Sequence, residues 1–257
     1  TGYIGVDSFT FKANDGKDDS NTATVNITVA STPVIVGGGL VAYYDFEGNI
    51  SDRSGNNNSG TVNGAALTSG KYGQAYQFSS TNQSISINEA TNLDGFNQLT
   101  VSLWFYTNSY GVSTDYPLLI SKSNTADYAI GFTASGNRIW SYVNGSALTS
   151  VSGFMTGKLG GWHHVVLTYN GSEQDLYFDG VKIANKAQTG AINDYASPVI
   201  IGNRQDMAAQ FNGIIDDVAI YSKALTTQEI QTIYNSGAPL LTDTTAPAPP
   251  TNLRKVN

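Results

Sequence analysis

Trp162-His163-His164-Val165-Val166-Leu167-Thr168-Tyr169, running on after a short polar break to Leu176-Tyr177-Phe178-Asp179-Gly180-Val181, is the stretch on which the fold turns. Side chains along a strand point alternately to its two faces. Trp162, His164, Val166 and Thr168 therefore form one set, while His163, Val165, Leu167 and Tyr169 form the other and are expected to face a core. Asp179-Gly180 sits between two β-rich runs, the usual sequence of a tight hairpin turn.

Working outward, short alternating runs recur at residues 40–46, 74–78, 84–87, 99–106, 118–122, 128–133, 138–143, 199–202 and 211–221, separated by Gly, Asn, Asp and Ser. Many short strands with that punctuation imply a sandwich or barrel. The one helical signal spans residues 226–234, where Thr226 and Glu229 have the spacing of a capping box, Ile230 and Ile233 point to the core, and Gly237 follows the end. The expected fold class is all-β: a two-sheet antiparallel sandwich closed by one short C-terminal helix.

Three segments are expected. Residues 1–33 carry two alternating runs, Phe9 with Phe11 and then Ala23, Val25, Ile27 and Val29, across the polar turn Asn14-Asp15-Gly16-Lys17-Asp18-Asp19. A lone hairpin is marginally stable in water, so this piece needs a partner. Its sequence resembles the last two strands of bacterial cadherin-like or immunoglobulin-like adhesin repeats. Ser31-Thr32-Pro33 and Gly37-Gly38-Gly39 then read as a linker into the main domain, residues 34–238. Residues 239–257 begin with a proline-rich connector, Thr244-Thr245-Ala246-Pro247-Ala248-Pro249-Pro250, and Thr251-Asn252-Leu253 resembles the opening strand of a fibronectin type III repeat. The expectation is an excerpt from a string of modules.

Composition narrows function. With 13 Lys+Arg against 20 Asp+Glu, the net charge of -7 has the wrong sign for a phosphate backbone, which argues against nucleic acid and anionic membranes. Cys is absent, so disulfide scaffolds, thiolate zinc sites and cysteine nucleophiles are excluded. No apolar run approaches the roughly 20 residues of a membrane span.

Four stretches, in order, resemble the laminin G-like, concanavalin A-type jellyroll family. They are Leu40-Val41-Ala42-Tyr43-Tyr44-Asp45-Phe46-Glu47-Gly48-Asn49; Asp52-Arg53-Ser54-Gly55 with the asparagines after it; the 162–180 stretch quoted above; and Phe211-Asn212-Gly213-Ile214-Ile215-Asp216-Asp217-Val218-Ala219-Ile220-Tyr221 with Ala224-Leu225-Thr226 behind it. The resemblance implies a jellyroll over roughly residues 38 to 238 and a secreted or cell-surface setting. It also implies that first and last strands run side by side and share a calcium. Calcium takes six to eight oxygens, and a Gly/Asn-rich turn bends to supply several. Glu47, Asn49 and Asp52 match such a turn, and Asp216 comes from the closing strand; the plain alternative is an ordinary polar turn and one solvated acid.

The same jellyroll hosts glucanases, which set paired carboxylates on alternate residues of one strand. Glu173-Gln174-Asp175 begins that way, but no third acid follows before Asp179, and the pair reads as hairpin-rim charge. His163 and His164 read as framework, since no nucleophile or carboxylate partner is suggested. No catalytic residue is assigned. For binding, aromatic rings offer apolar area to a sugar face: Tyr106, Tyr110 and Tyr116 lie near a long loop, and Trp140 and Tyr142 share a strand face, with Asn203, Arg204 and Asp206 nearby. Tyr110, Tyr116, Trp140, Tyr142, Asn203 and Arg204 are the ligand candidates, although several rings must be core. Two readings follow: a calcium-stabilised module binding polysaccharide or glycan, or an adhesive or spacer module of a surface fibre that contacts protein or nothing. A glycoside hydrolase ranks behind both.

Overall fold

The computed structural model describes residues 5–29, 38–109 and 116–236, and the chain divides into two compact units, Thr1–Val34 and Ile35–Asn257. The fibronectin-like start and its proline-rich connector lie outside the described residues.

In the first unit, Gly5–Phe11 (β1) and Ala23–Val29 (β2) form the expected antiparallel hairpin, pairing Phe9 with Val25 and Phe11 with Ala23. The turn is held by its own side chains. Asn14 Oδ1 accepts the Gly16 N–H at 2.7 Å, and Asp15 Oδ1 accepts the N–H groups of Lys17 and Asp18.

The second unit is a sandwich of two antiparallel sheets. Seven strands lie in the spatial order Ser146–Thr149 (β12), Ile139–Val143 (β11), Tyr128–Phe132 (β10), Leu118–Lys122 (β9), Val199–Ile201 (β16), Ser84–Ile87 (β7) and Gly60–Asn63 (β4). The eight-stranded sheet runs Val181–Ala187 (β15), Glu173–Phe178 (β14), Trp162–Tyr169 (β13), Leu99–Tyr106 (β8), Gly213–Tyr221 (β17), Gln74–Phe78 (β6) and Ala66–Ser69 (β5), with Leu40–Tyr44 (β3) also paired to β17.

Alternation sorts the side chains as the sequence implied. Val165, Leu167 and Tyr169 of β13 enter the core between the sheets with Val101, Leu103 and Phe105 of β8, and His163 packs among them at 4.8 Å from the Phe178 ring. The hairpin between β14 and β15 turns on Asp179 (φ 48°) and Gly180 (φ 76°), the positive-φ pair of a two-residue turn.

The helix Thr227–Ser236 (α1) starts at a reciprocal cap: the Thr226 N–H donates to Glu229 Oε2 at 2.8 Å, and the Glu229 N–H donates to Thr226 Oγ1 at 3.3 Å. Ile230 and Ile233 then cover the outer face of the eight-stranded sheet, packing with Tyr43, Val166, Tyr177, Ala219 and Tyr221.

Strand β17 joins the two ends of this unit. Its first half, Gly213 to Ile215, pairs with β6, and its second half, from Val218, pairs with β3. Between them the register against β8 slips at Asp216 and Ala219, and Asp217 sits at φ 48°. The bulge aims two adjacent carboxylates at the seam where β6 leaves off and β3 begins.

Candidate functional site

Two of the sandwich's outer surfaces differ. The outer face of the eight-stranded sheet lies partly under α1, whereas that of the seven-stranded sheet carries a small apolar cluster of Leu118, Ala129, Trp140, Tyr142 and Ala209. A cleft of about 400 Å³ opens there, lined by Tyr116, Leu118, Thr125, Thr133, Arg138, Trp140, Tyr142, Ala147, Thr149 and Arg204. That volume lies in the range of small-ligand sites.

Trp140 is its floor. Strand alternation sends Ile139, Ser141 and Val143 of β11 inward and leaves Trp140 and Tyr142 on the outer face. The indole lies across Gly131 on the neighbouring strand, where an added Cβ would come within 3.2 Å of its Cζ2 and 2.4 Å of the Pro117 carbonyl oxygen. Tyr142 and Tyr116 stand edge-on to Trp140, with ring centroids 4.8 Å and 6.2 Å away. Trp140 is 4% exposed and its Nε1–H has no acceptor among the described residues, while Tyr116 is 53% exposed. Thr125 ends a run of three left-handed residues, Ser123, Asn124 and Thr125 (φ 54°, 48° and 79°), a costly backbone for side chains with a Cβ.

The structure thus brings together four of the six ligand candidates: Tyr116, Trp140, Tyr142 and Arg204. Asn203 is beside them but plays another part. Its side chain is fully buried, with Nδ2 donating to the Gln83 carbonyl and Gln210 Oε1 and with Oδ1 accepting the N–H groups of Arg204 and Ala209. All four of its hydrogen-bonding positions are used, so it shapes the loop that presents Arg204 and is not open to a ligand. Tyr110 lies outside the described residues, and Tyr106 belongs to the other sheet, against the Trp162 ring. Asp206 accepts the Arg204 Nε–H at 2.8 Å. Sequence reasoning passed over Arg138, although its place two residues before Trp140 puts it on the same face by the period of two.

The four calcium candidates separate. Asp52 staples its own loop: Oδ1 accepts the N–H groups of Tyr43 and Ser54, and Oδ2 accepts the Ser54 hydroxyl and the Asn58 N–H, all within 3.0 Å. Asn49 Oδ1 accepts the Ser51 N–H. Glu47 and Asp216 instead meet one turn, Glu47 Oε1 accepting the Gln74 N–H and Asp216 Oδ2 those of Lys71 and Tyr72. Asp217, which sequence reasoning left out, takes the Tyr43 hydroxyl at 2.6 Å on Oδ1 and has a buried Oδ2 with no partner among the described residues. Burial pushes Asp216 up to about 7, against the hydrogen bonds it accepts. Burial and then the Asp216 charge push Asp217 up to about 8. Among the described residues no three His, Cys, Asp or Glu side chains stand together as a metal site. The orphaned Asp217 oxygen fits a cation; each Asp52 oxygen already takes two donors, Asn49 Oδ1 takes one, and Asp216 takes the Asp217 N–H on Oδ1 besides the two on Oδ2.

The remaining polar groups of interest each have a partner, although His164 Nδ1 and Asp175 Oδ1 are buried with none among the described residues. His163 Nδ1 lies 2.8 Å from Asp179 Oδ2. His164 is buried on the opposite face of β13, 2.8 Å from the Ser102 hydroxyl and stacked beside Trp104 and Tyr234. Asp175 pairs with Lys182 at 2.6 Å, and Glu173 accepts the Asn185 amide at 2.6 Å. Both carboxylates belong to the other sheet from the cleft.

Comparison with known proteins agrees with this architecture. Domain 4 of AbnA, a GH43 extracellular arabinanase from Geobacillus stearothermophilus solved in complex with arabinotriose, is similar at a TM-score of 0.61 and 22% identity, over 76% of this chain and 98% of that one. The binding domain of Paraclostridial Mosquitocidal Protein 1 is similar at a TM-score of 0.63 and 21% identity, over 77% of this chain and 52% of that one. Among curated proteins, the adhesion G-protein coupled receptor V1 of Danio rerio is 32% identical over 80 residues, which is 30% of this chain and 1% of the receptor's length. The Laminin_G_3 family, described as the concanavalin A-like lectin/glucanases superfamily, matches residues 79–231, a span that runs from β7 through β17 and holds every residue lining the cleft, while β3 to β6 precede it. The chain belongs to the concanavalin A-like lectin/glucanases superfamily.

Proposed function

We propose that the chain is a non-catalytic carbohydrate-binding module of a multidomain secreted or cell-surface protein, holding a polysaccharide in the cleft on the seven-stranded sheet. One observation carries the reading: Tyr116, Trp140, Tyr142 and Arg204, from separate parts of the chain, line a single open cleft. Flat rings with polar groups at their margin suit a sugar, whose faces are apolar and whose edges need hydrogen bonds. The similar arabinanase domain, solved with arabinotriose, supports this choice of ligand class. The engagement of Glu173 and Asp175 by Asn185 and Lys182, on the other sheet, supports a role without catalysis.

Calcium at the β17 seam is part of the same proposal, resting on the partnerless Asp217 oxygen beside Asp216. Backbone carbonyls and water would complete the six to eight oxygens such an ion takes. The hairpin of β1 and β2 and the segment after residue 238 are proposed as pieces of neighbouring cadherin-like and fibronectin type III-like repeats.

The spacer or adhesive reading has one observation in its favour, the short similarity to an adhesion receptor. A glycan array, run with and without calcium, separates the two. Selective binding that falls about tenfold in Tyr116→Ala or Tyr142→Ala is expected from loss of a central aromatic contact. Silence across plant, algal and host glycans would leave the spacer reading standing in its place.

A further inference from the structure

The described lining of the cleft carries arginine and no acid, in a chain that is acidic as a whole. The chain has a net charge of -7 and only four arginines, Arg53, Arg138, Arg204 and Arg254. Two of the four, Arg138 and Arg204, line this one cleft, and no Asp or Glu lines it among the described residues. Arg53 is already paired with Asp45 elsewhere. Arg204 is held by Asp206 through Nε, which fixes the direction of its side chain. Arg138 is different: half-buried in the wall, its guanidinium has no ion pair or side-chain hydrogen bond among the described residues.

We infer that the cleft takes an anionic saccharide, a sugar chain carrying carboxylate or sulfate groups, with Arg138 as the group that recognises the charge. The inference rests on the cleft being a glycan site and names the class of glycan. A guanidinium is a planar fork that matches two oxygens of a carboxylate or sulfate at once, and it stays charged at every physiological pH. Partly removed from water and without a partner, it gains more from an anionic ligand than an exposed arginine does. Tyr116 and Tyr142, seated on the buried Trp140, supply the apolar surface for the ring that bears the charge, and the threonine hydroxyls at the margin serve its neutral oxygens. A neutral glycan would leave Arg138 covered and unpaired, a cost that selects against it.

The test is titration calorimetry on the whole chain with four probes: an oligogalacturonate, its methyl ester, a sulfated oligosaccharide of similar length and a neutral arabino-oligosaccharide. Tighter binding of one or both charged probes, weakened by added salt, is expected. Arg138→Gln should cost about ten- to a hundredfold toward the charged probe and leave the melting temperature unchanged. Arg138→Lys should recover only part, because it keeps the charge and loses the fork. Preference for the galacturonate assigns a uronate, and preference for the sulfated probe assigns a sulfate ester. Equal binding of neutral and charged probes, abolished by Tyr116→Ala and indifferent to Arg138→Gln, would overturn the anionic assignment while keeping the glycan site. Absence of binding by all four, with silence on the array, would remove both.

Discussion

His164 shows how one side chain can be committed to the fold and still govern its response to acid. It is buried, its Nε2 is 2.8 Å from the Ser102 hydroxyl, and its Nδ1 has no partner among the described residues. Burial holds its pKa down to about 3, whereas an unfolded histidine titrates near 6.5. Between those values the unfolded chain takes up a proton that the folded one refuses, so the stability due to this group is complete above about pH 6.5 and is lost as pH falls toward about 3. His164→Gln is expected to cost about 1–3 kcal/mol at neutral pH through the disturbed hydrogen bond. It should also flatten the decline of stability below pH ~6.5. Urea midpoints measured against pH decide this, and parallel curves for the two proteins would refute it. From sequence, His164 was legible only as one member of an alternating strand. Its solvation depends on Trp104 and Tyr234, which lie 60 and 70 residues away in the chain.

At the scale of elements, what local chemistry encodes was legible and what the sheet edges encode was not. The reciprocal cap of α1 was read directly, and its worth can be measured: Thr226→Ala is expected to cost about 1 kcal/mol and lower the melting temperature by about 2–4 °C. An unchanged melt would mean that packing of Ile230 and Ile233 alone holds the helix. Three strands escaped the sequence reading, β4, β5 and β12, and β15 was read only as the run after the Asp179-Gly180 turn; these four are the outermost strands at both ends of both sheets. Three of them read Gly-Thr-Val-Asn, Ala-Leu-Thr-Ser and Ser-Ala-Leu-Thr, short runs with almost no buried side chain. An edge strand needs little apolar alternation and is kept short and polar, so the periodic signal fades there. The pairing of β10 with β11 shows the reverse dependence, of a site on a strand. Gly131→Ala would set a Cβ 2.4 Å from the Pro117 carbonyl oxygen and 3.2 Å from Trp140. A loss of about 1–3 kcal/mol with a shifted Trp140 fluorescence is expected, and ligand affinity should fall with it. Wild-type fluorescence and affinity in this variant would show that the indole does not rest on that glycine.

The second unit is closed at β17, where its opening strand β3 and its closing strand share a ladder. That neighbourhood followed from the family resemblance and is present in the fold; the calcium that the resemblance attached to it is a proposal with a clear consequence. An ion bound only by the folded state adds stability by mass action, about 2.7 kcal/mol at a hundredfold excess over its Kd. A chelator should therefore lower the melting temperature by several degrees. Asp217→Asn sharpens the test, since Asp217 is 6% exposed and brings a second carboxyl beside Asp216. In chelator the substitution is expected to raise the melting temperature, because it removes a carboxyl that must take up a proton to be buried. In calcium it is expected to lower it by removing a ligand. A rise in both conditions, with no metal found by elemental analysis, would leave the seam as a metal-free bulge.

By itself the sequence determined the all-β class, the core-facing sets of the long strands, the Asp179-Gly180 turn and the capped helix. Each depends on neighbours within a few residues, through side-chain alternation, turn geometry or capping. Only the tertiary structure decided that Tyr116, Arg138, Trp140 and Arg204 meet in one cleft, that Asn203 is spent on its own loop, and that Asp217 stands at the seam. Those placements follow from strand order: β9 lies beside β16, about 80 residues later, and β3 lies beside β17, across almost the whole domain. No local period records which strands become neighbours, because the pairing is chosen by the joint burial of both sheets.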